Sequence, residues 1–64
     1  MWIITKEHGI FNTDHFCWIK ENISGETVAF SLEGTGRRTI ISQNRVLDKI
    51  TSALVGGATF VEVE

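Results

Sequence analysis

Sixty-four residues make a single domain, 1–64, with no room for a second core, and a chain of this length buries only about 60% of its unfolded surface. Hydrophobic residues at 42% and charged residues at 22% exclude a disordered chain, and a lone cysteine, Cys17, excludes a disulfide within it. The net charge of -2 removes any general attraction to nucleic acid or to an anionic membrane.

Met1 to Thr5 reads as a short apolar strand. Lys6, Glu7 and His8 interrupt its apolar run too early for a secretory leader. No apolar stretch approaches the ~20 residues of a membrane helix, and an unpaired thiol suits a reducing compartment. A cytoplasmic protein without membrane contact is expected.

Lys6-Glu7-His8-Gly9 is a turn, Ile10-Phe11 resumes an extended segment, and Asn12-Thr13-Asp14 breaks it with turn-forming side chains. Residues 15 to 21 fit two descriptions. As a helix capped by Thr13, they would align Phe16, Ile19 and Ile23 in one stripe. As a strand, Phe16, Trp18 and Lys20 share one face and His15, Cys17, Ile19 and Glu21 the other. The aromatic and branched residues, followed by Ser24-Gly25 as a hairpin turn, favour the strand.

Glu26 to Glu33 alternates clearly, with Val28, Phe30 and Leu32 on one face. Gly34-Thr35-Gly36 closes a hairpin onto Arg38 to Ile41. Ser42 is a suitable N-cap for a helix from Gln43 to Val55, in which Val46, Leu47, Ile50, Ala53 and Leu54 form the apolar stripe. Gly56-Gly57 stops that helix. Thr59 to Glu64 is a last strand, with Val61 and Val63 on one face and Phe60, Glu62 and Glu64 on the other. The expected fold class is α+β: an antiparallel β-meander of about four strands, one C-terminal amphipathic helix covering one sheet face, and a final short strand.

Residues 8 to 22, HGIFNTDHFCWIKEN, concentrate both histidines and the cysteine. His15 and Cys17, two apart on a strand, would point the same way, with His8 as a third zinc ligand and Asp14 as a fourth. Structural zinc sites usually bring paired cysteines, so the plainer account is a buried Cys17 and histidines at turn edges, with no metal and no other cofactor. A Cys17–His15 nucleophile would also need a pocket and an oxyanion site that so small a sheet does not offer, which argues against an enzyme. Gly34 to Arg38 hints at a phosphate cradle but lacks the ending of a P-loop and lies between strands. A hairpin flanked by solvated arginines explains it.

Arg37, Arg38, Arg45 and Lys49 could form a local basic patch, with Arg45 and Lys49 on one helix face, and so offer a nucleic-acid-binding alternative. Asp48, Glu62 and Glu64 oppose it. The aromatic inventory weighs more. Two tryptophans exceed what one helix can cover, and tryptophan is a favoured interface anchor. Trp2, Phe16, Trp18 and Phe60 are therefore the candidate interface residues of a non-enzymatic module that self-associates. A homodimer is expected, formed through a sheet face or through an open edge such as residues 59 to 64, with an unidentified protein as the other partner class.

Asn12-Thr13-Asp14, Ile19-Lys20-Glu21, Glu26-Thr27-Val28, Leu32-Glu33-Gly34 and Asp48-Lys49-Ile50 together resemble the layout of flagellar proteins of the FlbD type over most of residues 1 to 54. That resemblance implies a small non-enzymatic bacterial accessory protein and assigns no functional residue. Gly56-Gly57 and the strand after it depart from the pattern. Residues 26 to 64 also resemble the strand-hairpin-strand-helix-strand order of LytTR DNA-binding domains, which implies DNA contact through the segment after the helix. Here that segment, Phe60-Val61-Glu62-Val63-Glu64, is acidic. The general look is that of small proteins of bacteria, phages and mobile elements.

Overall fold

A threonine hydroxyl shapes the first reversal of the chain. In this computed structural model, which describes residues 1–31 and 37–64, Trp2–Thr5 (β1) and Gly9–Asn12 (β2) pair antiparallel with Thr5 opposite Gly9. The Thr5 hydroxyl donates to the Gly9 carbonyl at 3.1 Å and accepts from the His8 amide at 2.9 Å. Gly9 turns the corner at φ +98°, a conformation that a side chain resists. The Asn12 side chain then accepts from the Asp14 amide at 3.0 Å and starts a 3-10 turn, Thr13–His15. His15 therefore lies in this turn and not in a strand.

Phe16–Glu21 (β3), Thr27–Ser31 (β4) and Arg38–Ser42 (β5) form an antiparallel sheet. The β3–β4 turn closes by a bond from the Asn22 amide to the Glu26 carbonyl, 2.8 Å, with Gly25 at φ +94°. Residues 32 to 36, which include the expected end of a longer fourth strand and the Gly34-Thr35-Gly36 hairpin, lie outside the described residues. Leu47–Val55 (α1) follows β5, and Phe60–Glu62 (β6) pairs in parallel with β1, Trp2 beside Phe60 and Ile4 beside Glu62.

The fold class is α+β, with the C-terminal helix and final strand in the expected order, but the single meander is corrected. Among the described residues five strands precede the helix, and the six strands divide into two small sheets, β2-β1-β6 and β3-β4-β5. Two local causes account for this. The Asn12-capped turn ends β2 before β3 begins, so the two do not continue as a hairpin. A parallel partner for β1 then needs a long crossover, and the last part of the chain, including α1, brings β6 back to it.

The two sheets and the helix share one core. Ile3 and Val63 from the mixed-sheet side, Ala29 and Ile41 from the antiparallel sheet, and Val46 and Ile50 from the helix and its approach are buried together. Met1, Phe11, Phe16, Ile19 and Val61 pack against them.

The helix is shorter than its pattern predicts, beginning at Leu47 after a Val46 N-cap and not at Gln43 after Ser42. Buried Thr27 explains the delay. Its hydroxyl donates to the Asn44 carbonyl at 2.9 Å and accepts from the Val46 amide at 3.1 Å, engaging backbone groups that a helix from residue 43 would use. The Ser42 hydroxyl accepts from the Asn44 amide at 3.0 Å, a local turn in place of the expected cap. The stop falls as expected: Gly57 at φ +72°, the Ala58 amide on the Ala53 carbonyl and the Gly57 amide on Leu54 form a Schellman motif. Leu54, placed by periodicity on the buried stripe, is mostly exposed. No helix among the described residues is long and apolar enough to cross a membrane.

Candidate functional site

Phe16 and Trp18, expected on one face of β3, are on opposite faces. The register shifts between them: Phe16 pairs with Ser31 and Trp18 with Phe30, so Cys17 is an extra, bulged residue. The Cys17 thiol, exposed, points to the carbonyls of Phe30 and Ser31 at 3.7 and 3.6 Å. The bulge turns Phe16 inward, where its ring meets Phe11 at 6.2 Å beside the core, and Ile19 follows it. Trp18 and Lys20 are left on the outer face.

That outer face of β3-β4-β5 has two rungs: Trp18, Phe30 and Arg38, then Lys20, Val28 and Ile40, with Val28 fully covered. Trp18 is 56% exposed and lies 5.2 Å from the half-buried Phe30 ring at an interplanar angle of 30°. The Lys20 ammonium sits 5.2 Å from the Trp18 ring centroid and 5.9 Å from that of Phe30, a cation–π arrangement over both rings. The face is apolar in its middle and cationic at two corners.

The outer face of β2-β1-β6 has the same plan. Asn12, Trp2 and Phe60 form one rung, and Ile10, Ile4 and Glu62 the other. Trp2 and Phe60 are 49% and 56% exposed, and Ile10 is also largely in solvent. The one charged residue on these rungs is the exposed carboxylate Glu62.

The remaining sequence candidates are not brought together. His8 lies in the β1–β2 turn with Nε2 buried and the Glu7 carboxylate 3.9 Å away, His15 in the 3-10 turn, and Cys17 in the β3 bulge. The thiol contacts carbonyl oxygens, with no bond to His15. Cys17 is exposed, contrary to the buried hydrophobe expected of it. Among the described residues no three or more His, Cys, Asp or Glu side chains are placed to hold a metal ion.

The basic patch is also dispersed. Arg45 precedes the helix, so the expected i, i+4 pairing with Lys49 on one helix face does not form. Its guanidinium meets the Glu21 carboxylate at 3.3 Å and the Ile23 carbonyl at 3.5 Å. Glu21 lies opposite Thr27, whereas Arg38 lies opposite Phe30. Three residues of β4 separate these rungs, roughly 10 Å of strand. Arg37 and Arg38 are exposed at one end of the sheet, and Lys49 is exposed on α1.

Sequence reasoning put Lys20 on the same strand face as Trp18 but missed Phe30 as the cross-strand partner of both, and Ile4, Ile10 and Glu62 as neighbours of Trp2 and Phe60. The period-two pattern carried part of that signal, because Phe60 and Glu62 share an outward face. Strand pairing, which places them beside β1, has no local signature. A polar cluster was missed as well: Glu64 Oε1 accepts from the Ser42 hydroxyl and from Asn44 Nδ2, the latter at 3.1 Å. The Ser42 bond holds the Glu64 carboxyl below its ordinary value of 4.5, against a partial desolvation that raises it, with Asn44, His8 and Lys49 adding smaller effects in the same direction as Ser42.

Compared with known proteins, the chain matches no family model, no curated sequence and no solved structure.

Proposed function

We propose that this protein is a small, non-enzymatic interaction module of the cytoplasm that self-associates through its aromatic sheet faces. One observation carries the reading: both sheets turn a pair of large aromatic side chains outward, Trp2 beside Phe60 and Trp18 stacked on Phe30. Trp2, Phe60 and Trp18 are each about half exposed. Isolated exposed apolar residues are ordinary, whereas paired aromatics on a flat sheet face are costly to leave in water and suit a partner. The small core adds weight, because seven hydrophobic residues among those described are buried, and domains of this size commonly draw stability from association. Of the four residues singled out from sequence, Trp2, Trp18 and Phe60 are on these faces, and Phe16 serves the core.

The nucleic-acid alternative has one supporting observation, Lys20 and Arg38 bordering the Trp18–Phe30 stack, since cations around aromatic rings also suit single-stranded bases. It draws less from Arg37, Arg38, Arg45 and Lys49 as a set, because Arg45 is engaged with Glu21. Light scattering across a concentration series tests the first reading. Association is expected, and Trp18→Ala should weaken it while circular dichroism stays unchanged. A wild type that is monomeric at every concentration rules the reading out. Salt-sensitive binding of single-stranded oligonucleotides, lost in Lys20→Gln/Arg38→Gln, would favour the alternative.

A further inference from the structure

The two outward faces differ in charge. The Trp2–Phe60 face carries the carboxylate of Glu62, and the Trp18–Phe30 face carries the ammonium of Lys20 and the guanidinium of Arg38. Both have two rungs of three residues with an aromatic pair along one rung, and on the Trp18–Phe30 face Val28 is covered and offers no contact surface. We infer that the occupant of each face is the other face of a second copy, so that the protein associates head to tail. This rests on the self-association reading and specifies its geometry.

Three steps support it. Like-on-like pairing of the Trp18–Phe30 faces would bring four cations into one interface with no carboxylate from either rung. Pairing two Trp2–Phe60 faces would bring two carboxylates together with no cation. A charge desolvated without a partner is unfavourable, and like charges across an interface select against it. Unlike faces avoid both like-charge clashes and pair Glu62 of one copy with Lys20 of the next, while Arg38, exposed at the diagonally opposite corner, keeps its hydration at the rim. The faces are also free to act at once, because the two sheets turn their inner faces to one shared core and their outer faces away from it. A contact between different patches does not close on itself as a two-fold dimer does; it continues into a ring or an open chain.

The test is complementation between two chains, each with one spoiled face. Phe60→Glu leaves the Lys20–Arg38 face intact, and Trp18→Glu leaves the Glu62 face intact. Sedimentation velocity should show wild type growing beyond two copies, each variant monomeric alone, and the mixture forming one-to-one dimers. A wild type that stops at two copies, or a variant that still dimerises alone, overturns the head-to-tail inference while leaving self-association standing. A monomeric wild type removes both. Charge swaps at exposed or half-exposed positions guard against misfolding: Glu62→Lys and Lys20→Glu should each weaken association at least about fivefold, and the double variant should recover it, since every contact then holds a reversed pair. Failure of the double variant to recover, with circular dichroism unchanged, counts against the inference.

Discussion

Phe16 and Trp18 are two residues apart on β3, yet one ring packs beside the core and the other stands in solvent, because Cys17 forms a bulge between them. The bulge divides the labour of the strand. Without it, Phe16 and Trp18 would compete for one face, and either the core would lose a ring or the Trp18–Phe30 stack would not form.

Their substitutions should therefore separate stability from association. In urea unfolding at concentrations where the monomer dominates, Phe16→Ala is expected to cost about 2–4 kcal/mol, as for a packed aromatic. Trp18→Ala should cost about 1 kcal/mol, the scale of a ring–ring contact. The ranking should invert in light scattering. Equal effects of both substitutions on both measurements would contradict the assignment of faces.

The turns were legible in the sequence because the residues that make them are chemically unmistakable: Gly9, Gly25 and Gly57 all sit at positive φ, where the sequence implied reversals or a helix stop. The strand at Thr27–Ser31 was legible too, but its expected division into one buried and one wet face is corrected: Thr27, Val28 and Ala29 are all buried, and Ala29 from the expected wet face joins the core. What was not legible depends on pairing. Nothing near Phe60 says that its neighbour is Trp2, and nothing in Phe16-Cys17-Trp18 says that the register slips there rather than running straight. A bulge moves every later side chain to the other face, so one unpaired residue inverted the reading of Trp18. Of the candidate site, the tryptophans were visible as an excess over what one helix could cover, and the charges that distinguish the faces emerged only with the strand order.

The helix start was hidden by a contact across the fold. Thr27→Val keeps the shape of the side chain and removes the hydroxyl that bridges the Asn44 carbonyl and the Val46 amide. Thr27 is fully buried, so the buried Val46 amide loses its partner and the part-buried Asn44 carbonyl loses one as well, and a loss of about 1–3 kcal/mol is expected. Thr27→Ser retains the hydroxyl and should lose less. Chemical denaturation of the pair decides; a neutral Thr27→Val would show that water or a helical extension replaces the bridge.

At the other end of α1, Gly57→Ala places a side chain at φ +72° with open space around it. The strain is thus conformational and not steric, about 1 kcal/mol. For a domain of this size that lowers Tm by roughly 4–8 °C. A melting curve that superimposes on wild type would mean that the Schellman geometry at Gly57 is not held.

Glu64 predicts a dependence on pH whose sign follows from its partners. The Ser42 hydroxyl donates to the ionised carboxylate and stabilises it, so the folded pKa lies below the ordinary 4.5. A group with a depressed folded pKa contributes its full stability above the unfolded value and loses it as pH falls through the folded one. Glu64→Gln removes that linkage while leaving an amide that can still accept from Ser42. The stability difference between wild type and Glu64→Gln should therefore be constant near neutrality and shrink as the pH drops below about 4.5, in unfolding curves collected from pH 7 to pH 3. A difference that stays constant across that range, or grows toward acid, would mean that the Ser42–Glu64 bond does not depend on the carboxylate's charge.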